Sequence, residues 1–308
     1  MSLAIDMKVR LGSLELRNPV VTASGTFASG REFSDFVDLH RLGAIVTKGV
    51  SLDAWPGNAS PRIAETASGM LNSIGLQNPG VEAFVAKDLA WLVKHAADTP
   101  VIVNVSGHTF AEYVQVIERL EDEVSVAGYE INISCPNVDA GGMAFGTDSA
   151  TAAEVTAACR AVTTRPLVVK LSPNVTDVVA IASAVEAAGA DALSLINTLL
   201  GMAIDARTRR PKLGRLVGGL SGPAIKPVAL RMVWEVSSAV GIPVVGMGGI
   251  ASAEDAVEFL LAGATAVAVG TANFVDPTAT MRVIDGLAEY CRHHRIGSVR
   301  ELTGALEL

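Results

Sequence analysis

The sequence predicts an α/β chain folded as one (β/α)8 TIM barrel over residues 1–308, and three observations carry that prediction. Eight short runs rich in Val, Ile, Leu and Ala recur along the chain, each bounded by turn residues. A helical pattern follows each run. Links from helix to next strand are short, whereas several from strand to next helix are long. Near-continuous apolar strands alternating with helices make a parallel sheet covered on both faces, and eight such units are what closes a barrel. With 308 residues, half of them hydrophobic, the chain can bury such a core as one unit.

Segment 1–18 is expected to form a hairpin closing the barrel bottom. The strands are then read at "PVVTAS" (19–24), "AIVTKG" (44–49), "VIVNVS" (101–106), "YEINIS" (129–134), "LVVKLS" (167–172), "ALSLIN" (192–197), "PVVGMG" (243–248) and "AVAVGT" (266–271). Between them lie helical segments such as "NPGVEAFVAKDLAWLVKHAAD", "TFAEYVQVIERLEDEVSVA", "DSATAAEVTAACRAVT", "VTDVVAIASAVEAAG" and "SAEDAVEFLLAG". Several open at Asn, Ser, Thr or Asp and close at Gly, as helix capping favours. The long strand-to-helix links are 49–80, 135–149 and 198–222. In this fold such links emerge on the C-terminal face, where active sites lie, so function is sought at the strand ends.

Composition narrows the class of function. The net charge of −8 provides no basic footprint for nucleic acid, and no Lys/Arg cluster is interleaved with aromatics. No stretch reaches the ~18 uninterrupted apolar residues of a membrane span, and the N-terminus lacks a signal-peptide core, so a cytoplasmic protein is expected. Cys135, Cys159 and Cys291 are far apart and form no C-x-x-C pair, which argues against a disulfide framework, a zinc site or an iron–sulfur site within this chain. Cys159 and Cys291 read as small helix residues.

Polar residues end the apolar strands: Ser24, Lys48, Asn104, Asn132, Ser134, Lys170, Asn197 and Thr198. Lys and Asn are costly to bury without partners, so this set is a poor choice for packing alone. Two ammonium groups among carboxamides suit a planar anionic ligand with carbonyl edges, and would stabilise negative charge developing on a reduced ring. "GMGGIAS" (246–252) and "VGTANF" (269–274) are glycine turns after the last two strands, where backbone N–H groups can receive a phosphate. Neither is a G-x-G-x-x-G fingerprint, which disfavours a dinucleotide on this chain. The combination points to a phosphorylated ring cofactor such as FMN across the barrel mouth. Cys135 follows the fourth strand, where nearby lysines would raise its thiolate fraction, and it could act as nucleophile or base. No histidine ends a strand to partner it, so a Cys/His hydrolase is weakly supported.

The chain closely resembles the class 1 dihydroorotate dehydrogenases. The matching stretches run in order along nearly its whole length, among them "NPVVTASGTF" (18–27), "GAIVTKGVS" (43–51), "NSIGLQNPG" (72–80), "EINISCPNV" (130–138), "VVKLSPNV" (168–175), "GGLSGPAIKP" (218–227), "GMGGI" (246–250) and "AVGTANF" (268–274). The stretch "SCPNVDAGGMAFGTD" is similar to the NAD-linked, type 1B branch. The resemblance implies that Cys135 is the base taking the C5 proton of dihydroorotate, and that Lys48, Asn72, Ser73, Ile74, Gly75, Leu76, Asn132, Asn197 and Thr198 hold the orotate ring and carboxylate. It implies that Ser24, Lys48, Asn104, Asn132, Lys170, Ile196, Gly222, Gly248, Gly249, Gly270 and Thr271 hold one FMN, and that loop 136–149 acts as a lid. It further implies a partner subunit carrying FAD and [2Fe–2S] that passes electrons to NAD+, around a homodimer of catalytic chains within a heterotetramer. The alternatives are a fumarate-reducing (type 1A) homodimer, a phosphosugar isomerase or aldolase barrel, and a non-catalytic flavin-binding subunit.

Overall fold

The computed structural model describes residues 5–133 and 145–307. All eight expected strands are present, as β1 Val20–Thr22, β2 Ile45–Val46, β3 Val101–Val105, β4 Val126–Asn132, β5 Leu167–Lys170, β6 Ala192–Leu195, β7 Val244–Met247 and β8 Ala266–Val269. They form one sheet in the order β1-β8-β7-β6-β5-β4-β3-β2, parallel throughout, and a bridge between Val21 and Ala44 joins its two ends. Most strands are buried along their whole length, as a sheet covered on both faces requires.

The outer layer contains α1 (81–95), α2 Phe110–Glu121, α3 Ser149–Arg160, α4 Val178–Ala187, α5 Lys226–Ser237, α6 Ala253–Leu261 and α7 Ala279–His293. Side-chain caps start four of them: Thr109, Asp148 and Asp177 accept from main-chain N–H groups, and Ser252 forms a capping box with Asp255. The helical pattern read through residue 127 stops at Glu121, because Val126 already pairs with Val101 in the sheet. Gly128 follows, where a Cβ would stand 2.8 Å from the Pro166 carbonyl oxygen. That close approach of β4 to the entry of β5 calls for glycine.

Segment 5–18 does form a hairpin, Val9–Leu11 against Leu14–Leu16. Its Leu11 closes the barrel bottom among Val21, Val46, Ile102, Val168, Val245, Met247 and Ala268. Two of the long links are not structureless. Ile63–Thr66 and Gly69–Asn72 form a hairpin, and with Gly218–Ser221 and Leu199–Gly201 they make a four-stranded antiparallel sheet beside the mouth. A two-residue link, Ala67-Ser68, joins that hairpin without the Asn-Gly signature that would have announced it. No helix among the described residues is long and apolar enough to cross a membrane. Cys159 and Cys291 lie buried on α3 and α7, and burial pushes the Cys159 thiol up to about 12.

Candidate active site

Side chains alternate across a strand, so the residues that line the barrel bottom fix which others face the interior. Ile102 and Val168 are inward, hence so are Asn104 on β3 and Lys170 on β5; Glu130 on β4 lines the same interior, hence so does Asn132. Register puts Asn104 beside Glu130, Asn132 beside Lys170, and Lys170 beside Ser194 of β6. Lys170 Nζ donates across the mouth to Ser24 Oγ at 3.3 Å. Asn132 Nδ2 donates to Asn104 Oδ1 at 3.4 Å, and Tyr113 of α2 fixes the end of β4 by donating to the Asn132 carbonyl at 2.8 Å.

Lys48 lies half-buried just past β2. Its neighbour Gly49 makes room for the amide row: a Cβ there would stand 2.9 Å from Asn104 Oδ1, 3.0 Å from Ser106 Oγ and 3.7 Å from a Leu76 methyl. Leu76 and Gly75 sit at positive φ, curling the "NSIGL" segment over this corner. Ser106 Oγ and Ser73 Oγ are buried and find no hydrogen-bond partner among the described residues. Two such hydroxyls in a polar mouth are what a ligand would satisfy.

The antiparallel sheet joins the substrate residues predicted from sequence. Asn72 pairs with Gly219, and a Cβ at Gly219 would overlap the Thr198 hydroxyl, so Asn72 and Thr198 sit side by side over one glycine. Asn197 Oδ1 accepts from the Thr198 N–H at 2.8 Å. Asn174 holds this segment by donating to the Thr198 carbonyl and accepting from the Leu200 N–H.

The glycine turns meet on the far side. Gly222, Gly248 and Gly249 all have positive φ. A Cβ on Gly248 would stand 2.7 Å from Ala229 and 3.3 Å from Ile196, and one on Gly249 would stand 2.8 Å from Lys226 and 3.0 Å from the Gly222 carbonyl. Thr271 donates to Ser221 Oγ at 2.8 Å, tying the turn after β8 to Gly222. Behind them Lys226 forms ion pairs with Asp255 (2.6 Å) and Glu258 (2.8 Å) of α6. These hydrogen bonds raise the Lys226 pKa. Burial pushes the Asp255 carboxyl up, but the ammonium and the Ala251 and Ser252 N–H groups outweigh it and hold it below the usual carboxylate range.

Such a mouth, with amides and a lysine on one side and the main chain of three glycine turns on the other, fits a planar ring bearing a phosphate. Every sequence-predicted site residue among those described falls at the C-terminal ends of the barrel strands or in the links leaving them. Cys135, Ser134 and lid positions 136–144 lie outside the described residues. At the lid's C-terminal end Phe145 packs on Phe110 and Tyr113, and Asp148 caps α3. Glu130, Ser194, Ser106, Tyr113, Asn174, Ser221 and Lys226 were not read from sequence. Of these Glu130 had a signal, standing two residues before Asn132 on the same strand face.

The dihydroorotate dehydrogenase family model matches residues 6–291. The chain is 60% identical over 302 residues to a protein of Pelobacter propionicus, covering 98% of this chain and 99% of that one. It is 58% identical over 301 residues to one of Alkaliphilus oremlandii, with the same coverage, and 57% identical over 304 residues to one of Desulforamulus reducens, covering 99% of each. All three relatives carry the name dihydroorotate dehydrogenase B (NAD(+)), catalytic subunit. A barrel whose amide row, lysine and glycine turns converge on one mouth, matched by that model over nearly its whole length, belongs to the dihydroorotate dehydrogenase family.

Proposed function

We propose that the chain, working as one 308-residue barrel, oxidises (S)-dihydroorotate to orotate in de novo pyrimidine biosynthesis, as the catalytic subunit of an NAD+-linked enzyme. The observation that carries this reading is the convergence of Asn104, Asn132 and Lys170 with the turns at Gly222, Gly248, Gly249, Gly270 and Thr271 on one mouth. FMN bound there supplies a two-electron acceptor that is reoxidised at the expense of NAD+. Ser24, Lys48, Ile196, the amide row and Lys170 would hold its ring system, and the glycine turns its phosphate.

The protein's own work is to orient the substrate and move its proton. Lys48, the segment Asn72 to Leu76, Asn132, Asn197 and Thr198 grip the orotate ring edges and carboxylate by charge and amide hydrogen bonds. Cys135 takes the proton from C5 as hydride leaves C6, so a C5–C6 double bond forms and the thiolate becomes a thiol. A cationic mouth favours that thiolate before the reaction. The mouth also lowers the barrier by placing ammonium charge where negative charge develops.

We further propose a partner subunit bearing FAD and [2Fe–2S], two copies of which flank a dimer of these chains. Leu200, Met202, Ile204, Leu216 and Val217 are exposed on the 198–222 excursion, an apolar surface of the kind that assembled proteins cover. The relatives named for NAD(+) support that acceptor over fumarate. The test is to mix purified chain anaerobically with dihydroorotate and follow visible absorption, then to assay NAD+ and fumarate as acceptors with and without the partner. A yellow protein that bleaches supports the reading. A colourless one, or one turning over fumarate at full rate alone, contradicts it.

A further inference from the structure

Glu130 is a carboxylate in the wrong place for packing. It is 3% exposed, and it lines the lower barrel interior together with Leu11, Val21, Val46, Ile102, Val168, Val245, Met247 and Ala268. A hydrophobic residue would suit that layer, and a buried carboxylate is costly unless its oxygens are satisfied. Its partners are two neutral donors from the neighbouring strands: Asn104 Nδ2 to Oε2 at 2.5 Å and Ser194 Oγ to Oε1 at 2.8 Å. Among the described residues it makes no ion pair.

The consequence falls beside it on β3 and two residues further along β4. A carboxamide has a donor edge and an acceptor edge, and the donor edge of Asn104 is the one that meets Glu130 Oε2. Glu130 therefore fixes which way Asn104 points. With Nδ2 held inward, Oδ1 faces Asn132 Nδ2, which donates to it at 3.4 Å. Flipping Asn104 would set two NH2 groups against each other and its oxygen against the carboxylate. Gly49 completes the arrangement, since any Cβ there would press on Asn104 Oδ1 at 2.9 Å. We propose that Glu130 is a positioning residue: from beneath the site it sets the polarity of a relay, Glu130 to Asn104 to Asn132, and so decides which carboxamide edges the mouth presents to the flavin ring and the substrate. This inference rests on the reading of those two asparagines as ligand contacts.

Two substitutions separate polarity from charge and from packing. In Glu130→Gln the new oxygen can still accept from Asn104 while its NH2 donates to the Ser194 hydroxyl, which can turn to accept. The relay then survives without the charge. Glu130→Met fills the same space with a side chain suited to its apolar neighbours and abolishes the relay. Full-length wild type, E130Q and E130M are stripped of flavin and titrated with FMN by fluorescence quenching, with the KM for dihydroorotate and the melting temperature measured alongside. The expected result is an E130M whose FMN Kd rises ten- to a hundredfold and whose KM rises, with a melting temperature lowered by only a few degrees as the Asn104 and Ser194 donors lose their acceptor, and an E130Q within about threefold of wild type in both constants. An E130M that binds FMN like wild type, an E130M whose losses track a melting temperature fallen further than that, or an E130Q as impaired as E130M would each overturn the proposal. A wild type that binds no FMN would instead overturn the flavin reading on which the proposal stands.

Discussion

On the side of the mouth formed by β3, β4 and β5, polarity comes from side chains that the strands themselves carry: Asn104, Asn132 and Lys170, nearly buried and locked to one another and to Glu130 and Ser24. On the side formed by the turns after β7 and β8 it comes largely from main chain, where Gly248 and Gly249 leave no room for a Cβ. Side chains on rigid strands can read the edges of a particular ring, because each amide offers one donor edge and one acceptor edge. Bare backbone reads only the charge and size of an anion, which is what a phosphate requires. The two sides should therefore fail differently when altered: the first in ring recognition and chemistry, through side chains whose loss also strands buried partners, the second in retention of the phosphate.

The largest effect is expected at Cys135, the proposed base that follows β4. Cys135→Ala should slow flavin reduction by roughly 10²–10⁴-fold in anaerobic stopped flow while leaving FMN bound. Cys135→Ser should recover activity only as pH rises, because a hydroxyl is a far weaker acid. Wild-type reduction rates in the alanine variant would remove the base assignment.

Next comes Asn104→Asp, which keeps shape but sets a second carboxylate against Glu130. It should cost about 3 kcal/mol near neutral pH in denaturant unfolding. On the backbone side, Gly248→Ala and Gly249→Ala should each cost about 2 kcal/mol and release FMN on gel filtration. Gly297→Ala, at a site where the nearest atom is a side-chain oxygen 3.4 Å away, should stay within about 0.5 kcal/mol.

A modest effect, below that of the mouth glycines, belongs to Lys226→Met, behind the glycine turns, at about 1 kcal/mol or less. Its pH dependence has a definite sign. The Asp255 pKa is depressed in the folded protein, so its contribution is present above the unfolded value and lost as pH falls through the folded one. The Lys226 pKa is raised, so its contribution is present below the unfolded value and lost as pH rises through the folded one. The stability gap between wild type and variant should be widest between those limits and close at both ends.

The same contrast explains what the sequence disclosed. Strands such as "LVVK" and "AVAV" are buried on both faces, so their continuous apolar runs announced themselves, and a Lys or Asn interrupting a run marked the first side of the mouth. The Gly248–Gly249 pair after β7 and Gly270 after β8 marked the second. The antiparallel sheet at 63–72 and 199–221 stayed hidden because its strands are short, half-exposed and built from pairings distant in sequence. Glu130 was passed over because an acidic residue contradicts the apolar pattern of a barrel interior; only the neighbouring Asn104 and Ser194 donors make it tenable there.

The most direct test of the flavin-dehydrogenase reading is the visible spectrum of the purified chain before and after anaerobic addition of dihydroorotate. A flavin band that bleaches on addition, and returns when the electron-transfer partner and NAD+ are supplied, is the predicted result. A protein without a flavin band, or one whose band is untouched by dihydroorotate, would contradict it.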